Sequence, residues 1–274
     1  NMRSIVPFYP NNRNFSYNCD DLINHYENTG IKALLLINPD NPSGNFIERS
    51  DVLKLAGWVQ QKGIRLIVDE SFVDFANAPG PQTLLTEETL GQYKNLTVVR
   101  SISKSFGVPG LRLGIVGSAD EELIGFIKKD ISIWNINSLA EFYLQICEKY
   151  RNEYTLALEK FKLTRAKFVD ELKKIPNLRV IPTHANYVMC EVLGGYFADK
   201  LAETLLEKYN VLIKDLSGKK GIDGQFIRVA VKTKEENNIL INALQSILGK
   251  SGRAKAFTIS FSGQEALLYA QKRN

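Results

Sequence analysis

The sequence predicts an α/β protein: a large domain with a mostly parallel sheet between helices, followed by a smaller α+β domain. In the first half, apolar runs without polar alternation, such as 32–37 and 64–68, are separated by a helical stretch, as in parallel sheets covered on both faces. In the second half, a long helical region precedes shorter strands and helices. The expected units are a large domain at 1–137, a linking helical region at 138–175, a small domain at 176–248, and an extension of unknown role at 249–274.

Hydrophobic periodicity sets the expected elements in order. Short apolar runs rich in β-branched residues predict strands, and apolar residues repeating every three to four positions predict helices. The expected strands are 5–8, 32–37, 64–68, 96–99, 111–116, 178–181, 187–192, 211–213 and 226–231. The expected helices are 20–27, 50–61, 87–93, 120–129, 138–174 in one or two pieces, 196–209, 234–248 and 264–271.

Cap and turn residues fix several boundaries. Ser50 is the expected N-cap of the helix ending at Gln61, and Gly63 is its expected stop. Ser138 is the expected cap of the long helical region. Residues 38–44 (NPDNPSG) hold two Asn-Pro steps and a glycine, so they should form a strongly specified turn.

The segment 95–117 (NLTVVRSISKSFGVPGLRLGIVG) places one lysine between two apolar strands. The first strand leads into a polar loop with Lys104, and Gly107 and Pro109 turn the chain into a second strand that carries Arg112. An ammonium enclosed there is costly to desolvate, which favours the neutral amine that Schiff-base chemistry needs. Most lysines are exposed surface residues, so the SISK tetrad alone does not identify a catalytic group.

Composition excludes several classes of function. The 274 residues carry 35 basic and 30 acidic side chains, a net charge of +5, without a run of five like charges. Nucleic acid and membrane are therefore not expected partners, and no apolar stretch is long enough to span a bilayer. The three cysteines and two histidines show no metal or redox spacing, so we expect no metal site and a cytoplasmic location.

Three polar loops follow expected strands: 38–44, 69–72 and 101–104. Because the carboxyl ends of parallel strands meet at one edge of a sheet, we expect these loops to line a ligand site there. Together with Arg112 they offer an amide, a carboxylate, hydroxyls, a lysine and an arginine. This set suits a lysine-bound aromatic aldehyde cofactor, with a carboxylate on its ring nitrogen and a cation with hydroxyls on its phosphate.

A series of motifs resembles the aminotransferases of pyridoxal-phosphate fold type I. In order, they are NPDNPSG, VDESF, SISKSFGVPGLRLG, WNINSLAE, HANYVMCEV and GQFIRVAV. The resemblance extends over residues 5–248 and is strongest to histidinol-phosphate aminotransferase and threonine-phosphate decarboxylase. It implies that fold, with pyridoxal 5′-phosphate as the cofactor.

The resemblance also implies a role for each matching residue. Lys104 would form the Schiff base and move the proton between substrate and cofactor, and Asp69 would pair with the cofactor's ring nitrogen. Asn41 would bind the phenolic oxygen. The implied phosphate ligands are Ser101, Ser103 and Arg112. The implied substrate ligands are Arg228, which would clamp the α-carboxylate, Asn137 and Asn186.

Each of these residues has a structural alternative. Asp69 could cap a helix, and Asn41 could serve only its turn. Arg112 and Arg228 could be surface residues whose alkyl stems cover the sheet. For the two asparagines of the substrate set, the structural and functional interpretations carry equal weight.

Two features depart from the family pattern. Phe72 stands where many members have a tyrosine that donates to the cofactor's phenolic oxygen, so Asn41 should carry more of that interaction. The glycine- and hydroxyl-containing phosphate loop and the ring that stacks on the cofactor have no counterpart in 1–37. The large, cofactor-binding domain is therefore expected to be truncated at its N-terminus.

The implied function is a pyridoxal-phosphate-dependent aminotransferase that acts, as a homodimer, on an amino acid and a keto acid, phosphorylated amino acids included. Decarboxylation of a phosphorylated amino acid is the alternative, because the same cofactor serves both reactions and the WNIN and ANY segments resemble the decarboxylases. A truncated, non-catalytic dimerising fragment is an alternative of a different class. A nucleotide-binding domain has no support, since GxGxxG and Walker motifs are absent.

Overall fold

The computed structural model describes residues 4–249, which contain two four-stranded sheets. The strands are β1 (Ala33–Ile37), β2 (Arg65–Asp69), β3 (Leu96–Ser101), β4 (Gly114–Ser118), β5 (Leu178–Val180), β6 (Tyr187–Val192), β7 (Lys214–Asp215) and β8 (Phe226–Ala230). The α-helices are α1 (Cys19–Tyr26), α2 (Arg49–Gln61), α3 (Glu87–Gln92), α4 (Ile102–Ser105), α5 (Glu121–Lys129), α6 (Ser138–Cys147), α7 (Arg151–Lys173), α8 (Ala198–Tyr209) and α9 (Lys234–Leu248).

The first sheet has the order β1-β2-β3-β4, with three parallel strands and an antiparallel strand, β4, at its edge. Its core is built from alternate strand residues packed against α1 and α2. Leu34, Leu66 and Val98 from the strands lie in one cluster with Leu55 and Val59 of α2. This helix therefore covers one face of all three parallel strands.

The second sheet has the order β5-β6-β8-β7 and is antiparallel throughout. One face carries Val188, Cys190 and Ile227, which pack into the cluster formed with α7, α8 and α9. Because side chains alternate across a strand, the opposite face carries Tyr187 of β6 and Arg228 of β8. That face is turned toward the turn at 38–44, as the contacts below show.

Two helices begin at residues other than those predicted from their sequence. Ser50 is not an N-cap: α2 begins at Arg49, and Glu48 precedes it without a side-chain bond. The Arg49 N–H is bound instead by Gln82 Oε1 at 3.0 Å, a tertiary contact that local sequence does not predict. In α6 the cap is the preceding residue, Asn137, rather than Ser138. The predicted stop at Gly63 is confirmed, since its φ of 65° suits glycine.

Several predicted strands are wrong or displaced. Residues 5–8 and 211–213 are not strands, and in the second region the pairing with β8 is confined to Lys214–Asp215, because a strand forms only where a neighbour supplies hydrogen bonds. The strand expected at 111–116 begins at Gly114. The loop expected around Lys104 is the single-turn helix α4. The helix expected at 264–271 lies outside the described residues.

Candidate active site

The three strand ends of the parallel sheet meet at one edge, as predicted. Ile37 is in register with Asp69, and Asp69 is in register with Val99. The Asn38 N–H donates to the Asp69 carbonyl at 2.9 Å, and the Glu70 N–H donates to the Val99 carbonyl at 2.8 Å. The loops that begin at Asn38, Asp69 and Ser101 therefore lie side by side.

The carboxylate of Asp69 lies at this edge, and only one of its two oxygens accepts hydrogen bonds from the described residues. Its Oδ1 accepts two hydrogen bonds from Ser71, one from the backbone N–H at 2.9 Å and one from the hydroxyl at 2.5 Å. No residue between 4 and 249 donates to Oδ2. Asp69 does not cap a helix, and its free oxygen can accept a hydrogen bond from a ligand.

Lys104 follows on α4, directly after β3 ends. Its side chain is exposed, and no described residue bonds or ion-pairs with its ammonium. The expectation of an enclosed, desolvated lysine is therefore not met in the described part of the chain. The reason is local: β3 ends at Ser101, and Lys104 lies on the single-turn helix α4 that follows it instead of between two strands.

The three predicted phosphate ligands line one hollow of about 300 Å³. Ser101 precedes α4 but makes no side-chain cap bond, so its hydroxyl remains available. Arg112 follows a tight turn at Pro109–Leu111 and adopts a left-handed conformation with φ of 58°, instead of the strand predicted for it. Ser71 lines the same hollow. The remaining member of the predicted set, Ser103, is buried.

The second sheet meets this edge through Arg228. Its Nη1 donates to Asn41 Oδ1 at 2.5 Å, and its guanidinium carbon lies 4.9 Å from the centroid of the Tyr187 ring. Arg228 is half-buried, so it is not a surface residue. The Asn41 amide Nδ2 has no acceptor among the residues of the described structure. The predicted cofactor ligand Asn41 and the predicted substrate ligand Arg228 are therefore neighbours.

Tyr187 supports the contact between Arg228 and Asn41, which we call the junction. Its hydroxyl donates to the Asp40 carbonyl at 2.6 Å, and Phe72 meets its ring edge-to-face at 5.2 Å. Burial raises the pKa of Tyr187 above its ordinary value, so the hydroxyl stays protonated and remains a donor. Sequence reasoning did not assign Tyr187 a role, since its partner is 147 residues away and no local signal marks it.

The two asparagines of the predicted substrate set differ. Asn137 uses both ends of its amide: Oδ1 accepts from the Ala140 N–H at 2.9 Å, and Nδ2 donates to the Leu111 carbonyl at 3.1 Å. Asn186 is half-buried directly before β6, and only its backbone carbonyl is bonded, by the Val231 N–H. The structure thus gives Asn137 a capping role and leaves the Asn186 side chain available beside the junction.

Two further acidic residues follow Asp69 and have structural partners. Glu70 is buried and accepts from the Thr83 hydroxyl and the Leu84 N–H, both at 2.6 Å. Burial raises the pKa of Glu70. Asp74 accepts from Arg100 at 2.5 and 2.6 Å. These bonds anchor the loop after Asp69 rather than face a ligand.

Two classes of site have no candidate in the structure. Across residues 4–249, no cluster of three His, Cys, Asp or Glu side chains could hold a metal ion. None of the helices in that range combines the length and hydropathy that a bilayer span requires.

Comparison with known proteins shows which family this sequence resembles. The family described as aminotransferase class I and II matches residues 2–244. The L-serine phosphate decarboxylase of Sulfurospirillum multivorans is 32% identical over 254 residues, which are 90% of this chain and 64% of that enzyme. The histidinol-phosphate aminotransferase of Caldanaerobacter subterraneus subsp. tengcongensis is 32% identical over 86% of this chain and 63% of its own length.

A solved structure extends the comparison to the fold. The crystal structure of the histidinol-phosphate aminotransferase from Clostridium acetobutylicum matches with a TM-score of 0.79 and 28% identity, over 89% of this chain and 71% of that one. The chain spans slightly less than two thirds of the length of the two curated relatives.

Proposed function

Because the chain belongs to the class I and II aminotransferase family and has the pyridoxal-phosphate fold type I of its structural relatives, we propose that the whole protein is an aminotransferase for a phosphorylated amino acid. The cofactor of this family is pyridoxal phosphate. The observation that carries the proposal is the contact between Arg228 of the antiparallel sheet and Asn41 beside the parallel-sheet edge. That contact brings a carboxylate-binding cation to the edge where Lys104 and Asp69 stand.

The residues at this edge suit the cofactor in charge and hydrogen-bonding capacity. Asp69 Oδ2 would accept from the ring nitrogen, Asn41 Nδ2 would donate to the phenolic oxygen, and Lys104 Nζ would bind the aldehyde carbon. When bound, the cofactor supplies an electron sink for the bonds at the substrate's α-carbon. The phosphate would lie in the hollow formed with Arg112 and the hydroxyls, since a guanidinium binds phosphate oxygens in pairs.

Lys104 and Arg228 would act on different groups of the substrate. The free guanidinium N–H groups of Arg228 would hold the α-carboxylate in a fixed orientation. Nζ of Lys104, which has no partner among the described residues, would take the α-proton and return it. A retained carboxylate and a proton moved by a lysine are what transamination requires.

A second cation supports a substrate that carries a phosphate group. Lys214 of β7 is directly opposite Arg228 of β8 in the antiparallel pair, so their side chains project from the same face of the sheet about 5 Å apart at Cβ. Lys214 is exposed, and its ammonium forms no hydrogen bond or ion pair with any of the residues described. A second anionic group on the substrate would therefore meet a positive charge beside the carboxylate site.

Decarboxylation of a phosphorylated amino acid is the second candidate. It is favoured by the 32% identity to the L-serine phosphate decarboxylase, which extends over 90% of this chain. The same residues would hold the cofactor and the phosphate, and the carboxylate would leave instead of the α-proton.

Cofactor binding is the first test. We expect the whole polypeptide, as its gene encodes it, to develop a visible absorption band with pyridoxal phosphate, and borohydride reduction to fix the cofactor on the peptide that contains Lys104. Lys104→Ala should abolish both signals. A wild-type protein without a band, but with a stable dimer, would instead support the non-catalytic alternative.

Product analysis then separates the two reactions. With phosphoserine and 2-oxoglutarate, transamination yields glutamate, whereas decarboxylation of phosphoserine yields carbon dioxide and a phosphorylated amine. Lys214→Met should raise KM for the phosphorylated substrate about tenfold, as expected for losing one ion pair within a binding site, and leave KM for its unphosphorylated counterpart unchanged. Equal changes for both substrates would remove Lys214 from the proposal.

We also propose that the protein is a cytoplasmic homodimer. All three cysteines are free thiols, which suits a reducing compartment. A band of large apolar side chains between α5 and α7 is exposed, with Ile133 and Trp134 about nine-tenths accessible, and such patches mark protein interfaces. Sedimentation that finds only monomers at high concentration would contradict the dimer.

A further inference from the structure

Ser71 bonds to both halves of the candidate cofactor site. Its hydroxyl donates to Asp69 Oδ1 at 2.5 Å, and the Ser101 N–H donates to the same hydroxyl at 3.1 Å. Asp69 faces the ring nitrogen in the proposed function, whereas Ser101 begins the turn that carries Lys104. We propose that Ser71 is a positioning residue that sets the Asp69 carboxylate and the Lys104 turn in one fixed arrangement for the cofactor. The proposal rests on the proposed function.

The direction of each hydrogen bond follows from chemistry. A carboxylate only accepts and a backbone N–H only donates, so the serine hydroxyl must donate to Asp69 and accept from Ser101. The bonds form one chain, from the Ser101 N–H through the Ser71 hydroxyl to Asp69 Oδ1. A serine is the smallest side chain that can fill this middle position, and it is only 8% exposed, so water does not readily replace it.

A second consequence concerns which carboxylate oxygen is available. Both Ser71 donors, the N–H and the hydroxyl, act on Oδ1. This leaves Oδ2 as the acceptor for an outside donor and fixes the rotation of the carboxylate about its last bond. Ser71 thus selects the oxygen that the ring nitrogen would meet.

A second aspartate–serine pair in the chain provides a comparison for Asp69 and Ser71. Asp215 and Ser217 have the same Asp-x-Ser spacing as Asp69 and Ser71. There, the Ser217 N–H donates to Oδ1 at 2.8 Å and the hydroxyl donates to Oδ2 at 2.7 Å. The carboxylate of Asp215 is therefore satisfied on both oxygens by its own turn, whereas that of Asp69 keeps one oxygen for a ligand.

The test compares Ser71→Ala, Ser71→Thr and Ser217→Ala in the whole polypeptide. We expect Ser71→Ala to raise the Kd for pyridoxal phosphate about tenfold, because it removes a hydrogen bond to a charged acceptor. Ser71→Thr keeps the hydroxyl, so its Kd should stay within about threefold of the wild-type value, a smaller change than the loss of one hydrogen bond would cause. Ser217→Ala removes the same kind of local bond away from the cofactor and should leave Kd unchanged. An unchanged Kd in Ser71→Ala, or equal losses in both alanine variants, would overturn the proposal.

A measurement without the cofactor keeps the proposal separate from the proposed function. In the cofactor-free protein, Ser71→Ala should make the Ser101 amide exchange with solvent about tenfold faster, since it loses its acceptor. If wild type binds no pyridoxal phosphate, the proposed function fails, and a role for Ser71 in cofactor positioning fails with it. If wild type binds the cofactor but Ser101 exchange is the same in the variant, only the Ser71 proposal is overturned.

Discussion

The two sheets of this protein differ in how completely they are packed. In the antiparallel sheet, Val188, Cys190 and Ile227 are fully buried against three helices, and much of the opposite face is covered by the cluster around Met189 and Phe226. In the parallel sheet, Leu35 on β1 is 62% exposed, and Ile115 on the edge strand β4 is exposed as well. Within the described residues, the antiparallel sheet has a complete core and the parallel sheet is covered mainly on one face.

This difference shows where stability and chemistry reside. The closed sheet supplies one rigid cation, Arg228, to the junction, and the open sheet supplies the exposed strand edge where the proposed cofactor ligands lie. Functional residues are commonly placed on loops that a rigid scaffold holds in position. Here the scaffold is divided between two units of unequal packing.

The strongest test of the comparison is Ile227→Ala in the closed sheet. Ile227 is completely buried, so its truncation should lower the free energy of unfolding by about 2–5 kcal/mol through lost burial and a cavity. Urea unfolding followed by circular dichroism measures the loss. Both tryptophans, Trp58 and Trp134, lie outside this sheet, so their fluorescence reports the other unit. A loss well below 1 kcal/mol would contradict the comparison.

Asp74→Asn tests the link between the open sheet and α7. Asp74 accepts from Arg100 and, at 2.7 Å, from the Tyr154 hydroxyl of α7, and the Asp74 and Arg100 side chains are about five-sixths buried. The variant leaves a buried guanidinium without its carboxylate, which should cost about 2–3 kcal/mol in the free energy of unfolding.

The matched control for this variant is an exposed ion pair. Glu148→Gln removes the bond to Arg151, and both side chains are 71% exposed. Because solvent screens such pairs, no measurable change in unfolding midpoint is expected. A loss in Glu148→Gln equal to that in Asp74→Asn would show that burial does not distinguish them.

His184, whose backbone N–H donates to the Gly44 carbonyl at 2.9 Å, should make the stability of the protein sensitive to acid. Burial and the nearby Arg165 guanidinium lower the pKa of His184 below its ordinary 6.5. In acid, the unfolded chain takes up this proton before the folded chain does, so stability should fall as pH drops below about 6.5. The free energy of unfolding should therefore be lower at pH 5 than at pH 7.

His184→Asn tests the contribution of His184 titration to stability. The asparagine oxygen can accept from the Asn77 N–H, which donates to His184 Nδ1 at 3.2 Å. The unfolding free energy of the wild type should fall relative to that of the variant as the pH falls from 7 to 5. A difference that is constant with pH would show that His184 titrates normally.

The smallest effect is expected on the open face. Leu35→Thr replaces an exposed leucine with a residue that is equally suited to strands, so the free energy of unfolding should change by no more than about 0.5 kcal/mol. The same urea titration as for Ile227→Ala gives the value. A large loss would mean that this face of β1 is covered.

Much of the fold was predictable because its signals are local. The apolar runs of β1 and β2 and the helix stop at Gly63 depend on neighbouring residues, and the structure has them within one or two positions. The errors have long-range causes. The prediction of a strand at 211–213 was wrong because, in this region, pairing with β8 is confined to residues 214 and 215. The predicted start of α2 was wrong because it is set by Gln82, which is 33 residues away.

The candidate site was partly predictable for the same reason. Parallel strand ends place Asp69 and Ser101 together from topology alone. The exposure of Lys104 and the left-handed backbone at Arg112 were not predictable, because both depend on how the chain turns after β3. Ser71 could have been found from its Asp-x-Ser spacing, but its bond to Ser101 depends on the pairing of two strands.

The bond between Arg228 and Asn41 also has a consequence for the order of folding. The two residues are 187 positions apart, so this contact closes a very long loop, and such contacts form late because their entropy cost precedes their stabilisation. During synthesis, the parallel sheet leaves the ribosome long before β8 exists. A nascent chain can therefore assemble the proposed cofactor side of the junction well before Arg228, the proposed carboxylate ligand, is in place.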